Sequence, residues 1–216
     1  MKEKTPILTP RQIRTAEVKN KIVLATTALI AENGIASVTV ANICKKADVS
    51  VGSFYHHFEN KDQVLSYYLT DAFQKNAAEF ERINGADVVQ SILTCYRLYN
   101  RFLVEQGYDF VANYYTTGNH QLYSKNNPNH SSDNAPIMKK IHSLCEAAVE
   151  NGYISADCDL ELFYFDLTVM EKGIIFDWCN TGGSYDLVSE ASRIMENYMK
   201  RTVVTDKYQK EFNPSR

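Results

Sequence analysis

The sequence predicts an all-α protein, and three observations carry that expectation. No run alternates apolar and polar residues over the length of a strand, whereas apolar residues recur three and four apart in segment after segment. Glycine-containing breaks separate the segments, at Asn33-Gly34, Asn84-Gly85, Gly107, Gly152 and Gly182-Gly183. The segments are of two kinds, brief ones early and long, strongly apolar ones late. This pattern predicts an N-terminal three-helix module over 1–62 and a larger helical body over 63–216, each long enough to bury its own core.

Residues 1–15, with Pro6, Pro10, Arg11 and Arg14, have no period and are expected to form a mobile arm. From residue 17, Val18, Ile22, Ala25, Leu29 and Ile30 make an amphipathic helix that Gly34 can close in a left-handed conformation. Thr39 can cap a second helix, in which Val40, Ile43 and Ala47 share one face and Lys45 and Lys46 lie on the other. After the turn at Ala47-Asp48-Val49, Ser50 can cap a third helix of barely two turns. In it Phe54 and Phe58 point inward while Ser53, Tyr55, His56 and His57 point outward. That outer face has no carboxylate, so it can approach a polyanion without repulsion, and the helix has the dimensions to enter a major groove. Asn60 can cap a fourth helix, running to about residue 82, whose positive N-terminal end with Lys61 can grip a phosphate.

The body follows. Val88, Ile92, Cys95, Tyr96, Tyr99, Phe102 and Leu103 make 87–105 apolar on more than half its circumference, which predicts a central helix. Residues 108–117 predict a further short helix, 118–136 a long polar loop, and 137–151 a helix with Ile141, Leu144, Cys145 and Ala148 on one face. The last two long helices, 159–179 and 186–203, carry Leu160, Phe163, Leu167 and Ile174, then Leu187, Ala191, Ile194 and Met195. The tail, 206–216, is polar and expected to fray.

Composition narrows the class. Hydrophobic residues make up 44% and charged residues 23%, and no apolar run approaches the ~18 residues of a spanning helix. The first twelve residues lack the apolar core of a signal peptide, so a cytoplasmic protein is expected. Cys44, Cys95, Cys145, Cys158 and Cys179 are scattered and odd in number, against a disulfide framework or a zinc site; the Asn129-His130-Ser131 sequon is then a chance match. The net charge of −3 hides an asymmetry: residues 1–62 hold nine Lys and Arg against six Asp and Glu, or +3, and the remainder 14 against 20, or −6. The N-terminal part is the end that can face phosphate.

Ile43, Ala47, Val49-Ser50, Gly52, Phe54-Tyr55, His57-Phe58, Lys61 and Leu65 together resemble the helix-turn-helix signature of the tetracycline-repressor-like (TetR/AcrR) transcriptional regulators. The match covers roughly 17–71. The resemblance implies a dimeric, ligand-responsive regulator, a repressor, that binds a palindromic double-stranded DNA operator and is released by a small-molecule effector in the body. It also implies a homodimer through the last two long helices. The candidate DNA-binding residues are Thr39, Ser50, Val51, Gly52, Ser53, Tyr55, His56, His57 and Lys61, with Tyr55, His57 and Lys61 assigned mainly to phosphates.

The rival classes are a helical enzyme and a protein-binding adaptor. No GxGxxG, P-loop, HExxH or GxSxG is present, and the adjacent His56-His57 point ~100° apart on a helix, a poor metal pair. No catalytic residue, metal ligand or cofactor is assigned. Aromatic residues, 12% of the chain, cluster in the body, where tyrosine hydroxyls can line a cavity for an aromatic or amphipathic effector. The candidate lining is Tyr96, Tyr99, Asn113, Tyr114, Tyr164, Glu171 and Trp178, in a space between the helices that contain Tyr96, Tyr114, Leu144 and Tyr164.

Overall fold

A computed structural model describes residues 9–75, 77–122 and 136–213. Contacts divide the chain into two units, one ending at Leu69 and one beginning at Thr70. Among the described residues there is no strand, only an isolated antiparallel bridge between Ile154 and Val204. No described helix is long and apolar enough to cross a membrane.

The first unit is built from α1 (Pro10–Asn33), α2 (Val40–Ala47), α3 (Val51–His57) and the start of α4 (Lys61–Lys75). Each has an explicit start signal. Thr39 Oγ1 accepts from the Asn42 amide, Ser50 Oγ from the Ser53 amide and Asn60 Oδ1 from the Gln63 amide, at 3.1, 3.0 and 2.9 Å. The turn between α2 and α3 places Asp48 in the left-handed region, φ 52°, where a short side chain able to bond locally is tolerated. Ile22, Leu29, Ile43, Ala47, Phe54 and Phe58 are buried together with Val64 and Leu65. Burying each large side chain contributes ~1.5–3 kcal/mol, which outweighs what helices as short as α2 and α3 could supply by propensity.

The expected mobile arm is corrected in part. Residues 1–8 lie outside the described residues, but α1 starts at Pro10 rather than near residue 17. Thr9 and Gln12 form a reciprocal capping box with proline in the first turn, and Arg11 and Arg14 are therefore helical and exposed.

The second unit contains the end of α4, α5 (Ala77–Glu81), α6 (Val88–Gln106), α7 (Tyr108–Tyr114), α8 (Pro136–Glu150), α9 (Leu160–Asn180), α10 (Leu187–Thr202) and α11 (Asp206–Phe212). α6 is central: it packs on α10, α8 and α7 and buries Val88, Ile92, Cys95, Tyr96, Asn100 and Leu103. Asp87 caps it, and Gly107, at φ 88°, ends it. The helix expected over 108–117 stops at Tyr114; Asn119, buried, bonds back to the Tyr114 carbonyl and a 3₁₀ turn follows at His120–Leu122. The rest of the expected polar loop, 123–135, lies outside the described residues.

The tail is also corrected. Residues 206–212 form α11, capped by Thr205. Tyr208 is fully buried, donates to Asp87 Oδ1 at 2.7 Å and packs with Tyr153 and Phe212. The Thr205 hydroxyl and amide bond to the carbonyls of Gly152 and Tyr153. A local reading of a charged, polar tail cannot anticipate partners more than 50 residues away.

Candidate nucleic-acid interface and effector cavity

The interface candidates sit where α2, α3 and α4 begin. On α3 the register separates neighbours sharply: Phe54 is fully buried, whereas Tyr55 is 56% and Val51 50% exposed. Gly52 and His56 are exposed, and Ser53 and His57 half-buried. Thr39 and Ser50 are exposed, each with its oxygen engaged as a cap acceptor, which leaves the hydroxyl proton to donate outward. The Tyr55 ring meets Phe54 edge-on at 5.5 Å, so its base is held while its hydroxyl end is free to reach out.

A Cβ added to Gly52 would meet only Ser50 Oγ, at 3.9 Å, and its backbone is helical. Nothing within the chain therefore requires glycine there. Lys61 Nζ is 2.7 Å from Asp62 Oδ1, a partly exposed neighbouring pair. Exposed pairs contribute ~0–1 kcal/mol, little enough for a phosphate to compete for the ammonium. His57 is held below the usual imidazole value by burial, then by His56 and by Lys19, so it is neutral at neutral pH and meets an acceptor with an N–H rather than a full charge. Lys19, overlooked in the sequence because it lies on α1, stands 5.8 Å from the Phe58 and Tyr67 ring centres.

In the second unit a cavity of about 50 Å³ lies among α6, the end of α7, α8 and α9. It has room for about three water molecules. Tyr96 and Tyr99 line it from α6, Tyr115 from just after α7, Ile137 and Met138 from α8, and Thr168, Glu171 and Lys172 from α9. The Tyr99 and Tyr115 hydroxyls bond to each other and Thr168 to the Tyr164 carbonyl. Three side chains differ. Tyr96 Oη, both polar atoms of Asn100 and both oxygens of Glu171 are buried and make no hydrogen bond. Glu171 is only 4% exposed, and burial pushes its carboxyl up to about 8, offset in part by Asn100, which lies near without reaching bonding geometry. Burial, then the neighbouring Glu171, holds the Tyr96 phenol well above its usual value.

Of the seven expected lining residues, the structure brings together Tyr96, Tyr99 and Glu171. The other four do not line the cavity. Asn113 is exposed and spends its amide on the Asp109 carbonyl, one turn back. Tyr114 is buried and stacks on Phe110; Tyr164 is buried against His142, with ring centres 3.9 Å apart. Trp178 donates to the Tyr185 carbonyl and packs on Tyr108. Asn100, buried one turn after Tyr96 on α6, lies behind the cavity wall near Glu171, and its signal in the sequence is a polar residue on an otherwise apolar helix face.

A third surface runs along α9, where Leu162, Phe165, Val169 and Phe176 form one exposed stripe, Phe165 at 64%. α10 differs from expectation: Leu187, Ala191, Met195 and Met199 are all buried, and α10 packs on α6, so its apolar face is internal. Only Ile194, half-buried, joins Met170, Gly173 and Ile174 in the groove between the two helices.

Comparison with known proteins agrees with this arrangement. The profile of the bacterial regulatory proteins of the tetR family matches residues 22–68, which covers α2, α3 and their supports. The HTH-type transcriptional repressor KstR2 of Rhodococcus jostii (strain RHA1) is 24% identical over 172 residues, covering 77% of this chain and 82% of that protein. Among solved structures, Thermus thermophilus FadR in complex with lauroyl-CoA superposes with a TM-score of 0.66 at 20% identity, covering 87% of this chain and 96% of that one. RolR in complex with resorcinol gives 0.60 at 17% identity, covering 86% and 89%. With its capped helix-turn-helix inside the matched segment, the chain carries the DNA-binding domain of the tetR family of bacterial regulatory proteins.

Proposed function

We propose that the chain is a homodimeric repressor that binds a palindromic operator through the outward face of α3 and leaves it when a small molecule occupies the body. One observation carries the DNA-facing part: α3 buries Phe54 and turns Val51, Gly52, Tyr55 and His56 outward with no carboxylate among them. Thr39, Ser50, Ser53, His57 and Lys61 flank that face; Ser50, Val51, Ser53 and His56 are assigned to the groove, and Tyr55, His57 and Lys61 to phosphates.

The exposed stripe on α9, with Ile194 of α10, supplies the dimer contact, because a lone subunit would leave Phe165 and Leu162 in water. Two copies of α3 must then lie about 34–36 Å apart to enter successive major grooves. The chain passes from the first unit to the second within α4. An effector that prefers a body conformation incompatible with that spacing shifts the dimer off DNA, and only by its differential affinity for the two states. Two proteins of similar fold are in complex with lauroyl-CoA and with resorcinol, ligands of unlike chemistry. Here the cavity supports an aromatic or amphipathic molecule, for which the long, unbranched Met138 must move aside.

Selection of the full chain against randomised duplexes tests the operator: an inverted repeat with half-sites about one helical turn apart is expected, and recovery of a single asymmetric site contradicts the dimeric reading. Release is tested by adding a panel of aromatic and amphipathic compounds to the operator complex, with Tyr96→Ala and Glu171→Ala as controls. If no compound displaces the protein, control by an effector in this cavity fails.

A further inference from the structure

The cavity wall carries a chemical preference that the family assignment does not supply. Both carboxyl oxygens of Glu171 are buried and make no hydrogen bond, and Asn100 beside them leaves its amide oxygen and nitrogen unpaired as well. Tyr96, one helical turn before Asn100, adds an unpartnered hydroxyl. A natural protein core seldom leaves such groups unmatched, since each costs ~1–3 kcal/mol when buried without a partner. The groups that share electrostatics with Glu171 are the phenols of Tyr96, Tyr99 and Tyr115, all held in the protonated form by burial, while α8 contributes only the uncharged Ile137 and Met138. Lys172 also lines the cavity, but it follows Glu171 directly on α9 and so points about 100° away, and burial lowers its own ammonium. Among the described residues that line the cavity Lys172 is the only cation, and the shift of the Glu171 carboxyl comes from burial and from Asn100 rather than from it.

Resting on the effector-cavity reading above, we infer that the cavity takes the ammonium head of an amine ligand, with Glu171 as its counter-ion and the Tyr96 hydroxyl oxygen as a further acceptor. An ammonium offers three N–H donors and no acceptor, enough for both oxygens of Glu171 and the hydroxyl oxygen of Tyr96, and the faces of Tyr96, Tyr99 and Tyr115 suit a cation. In the unliganded protein the carboxyl is neutral at pH 7, because the pKa of about 8 lies above it. Binding is then an exchange that balances: the carboxylic acid of Glu171 gives its proton to solvent, and the incoming ammonium pairs with the carboxylate left behind. The bound site holds one positive and one negative charge in hydrogen-bonding contact, where the unliganded site held a buried neutral acid beside Asn100.

The test compares three probes of one shape and different charge, benzylamine, benzyl alcohol and benzoate, by titration calorimetry on the full-length protein and its Glu171→Gln variant. Benzylamine should bind at least tenfold more tightly than benzyl alcohol, and benzoate most weakly. At pH 7 its binding should release close to one proton, read from the difference between buffers of unlike ionisation enthalpy. Affinity for the amine should rise by up to ~tenfold per pH unit towards pH 8 and then level. Glu171→Gln, which keeps size and hydrogen-bonding capacity, should erase both the amine preference and the proton release. The inference is overturned if the alcohol or benzoate binds as tightly as the amine, if the variant keeps the preference, or if none of the three binds at millimolar concentration. Amine binding that leaves the operator complex intact would sink the effector reading and spare this one, and release of DNA by benzyl alcohol or benzoate would do the reverse.

Discussion

The outer face of α3 and the floor of the α9 cavity are opposite solutions to the placement of polar groups. On α3 every apolar ring that can be buried is buried, every helix start is capped, and the polar side chains stand in water where a partner can meet them. At Glu171, Asn100 and Tyr96 the polar groups are inside and unsatisfied. The first region is locally consistent at every level; the second breaks the rule that buried polar groups are paired, and such breaks concentrate where a protein binds something. The difference predicts that substitutions on α3 separate cleanly into those that unfold and those that only unbind, whereas substitutions at the cavity change stability and binding together.

The largest expected effect is at Phe54. Phe54→Ala should cost ~3–5 kcal/mol and unfold the first unit under mild denaturant, while the adjacent Tyr55→Ala should change stability by less than ~1 kcal/mol and still weaken operator binding. Equal losses of stability at the two positions would break the comparison. The midpoint of chemical denaturation reads both.

Next comes Glu171→Gln. The folded-state carboxyl titrates at about 8 against an ordinary value of 4.5, so between those pH values the folded protein holds more protons than the unfolded chain. The advantage of the neutral acid is complete below about 4.5 and is lost as pH rises to about 8. Glu171→Gln should therefore match wild type near pH 4 and exceed its stability at pH 8 by on the order of a few kcal/mol. Denaturation curves at the two pH values decide it; a variant less stable than wild type at pH 8 would mean that Glu171 is a paired structural group.

Those two residues also mark what was legible. Phe54 and Tyr55 could be sorted by helical period alone, and Thr39, Ser50, Asn60 and Gly107 announced their roles because caps and stops act within four residues of chain. Glu171 stood out as a carboxylate in an apolar run, but whether it faced solvent or the interior depended on α6 and α7, far away in sequence. The same dependence hid the anchoring of Tyr208 by Asp87 and turned Tyr114, Tyr164 and Trp178 from expected lining into packed core. Thr9 is different: its capping box with Gln12 is local, but Pro6 and Pro10 around it are equally compatible with a mobile arm.

Smaller effects sharpen the contrast. Asp48 sits at φ 52°, so Asp48→Val should cost ~1–2 kcal/mol of stability, and Asp48→Gly should cost little or nothing. Thermal unfolding checks both, and an unaffected Asp48→Val would remove the turn's special geometry from the account. Gly52→Ala should raise stability by ~0.5–1 kcal/mol, since a Cβ there enters open space on a helix, yet weaken operator binding if the backbone comes close to DNA. Unchanged operator affinity in Gly52→Ala would show that α3 does not make that close approach.

The most direct test of the central claim, that the α3 end of the first unit faces DNA, is the salt dependence of operator binding by wild type and Lys61→Ala. Lys61 is partly exposed and held only by a surface pair with Asp62, so its removal should leave the fold intact. The account predicts weaker binding to every duplex by a similar factor and a plot of log affinity against log salt flattened by about one charge unit. The same affinity and the same slope as wild type would contradict it.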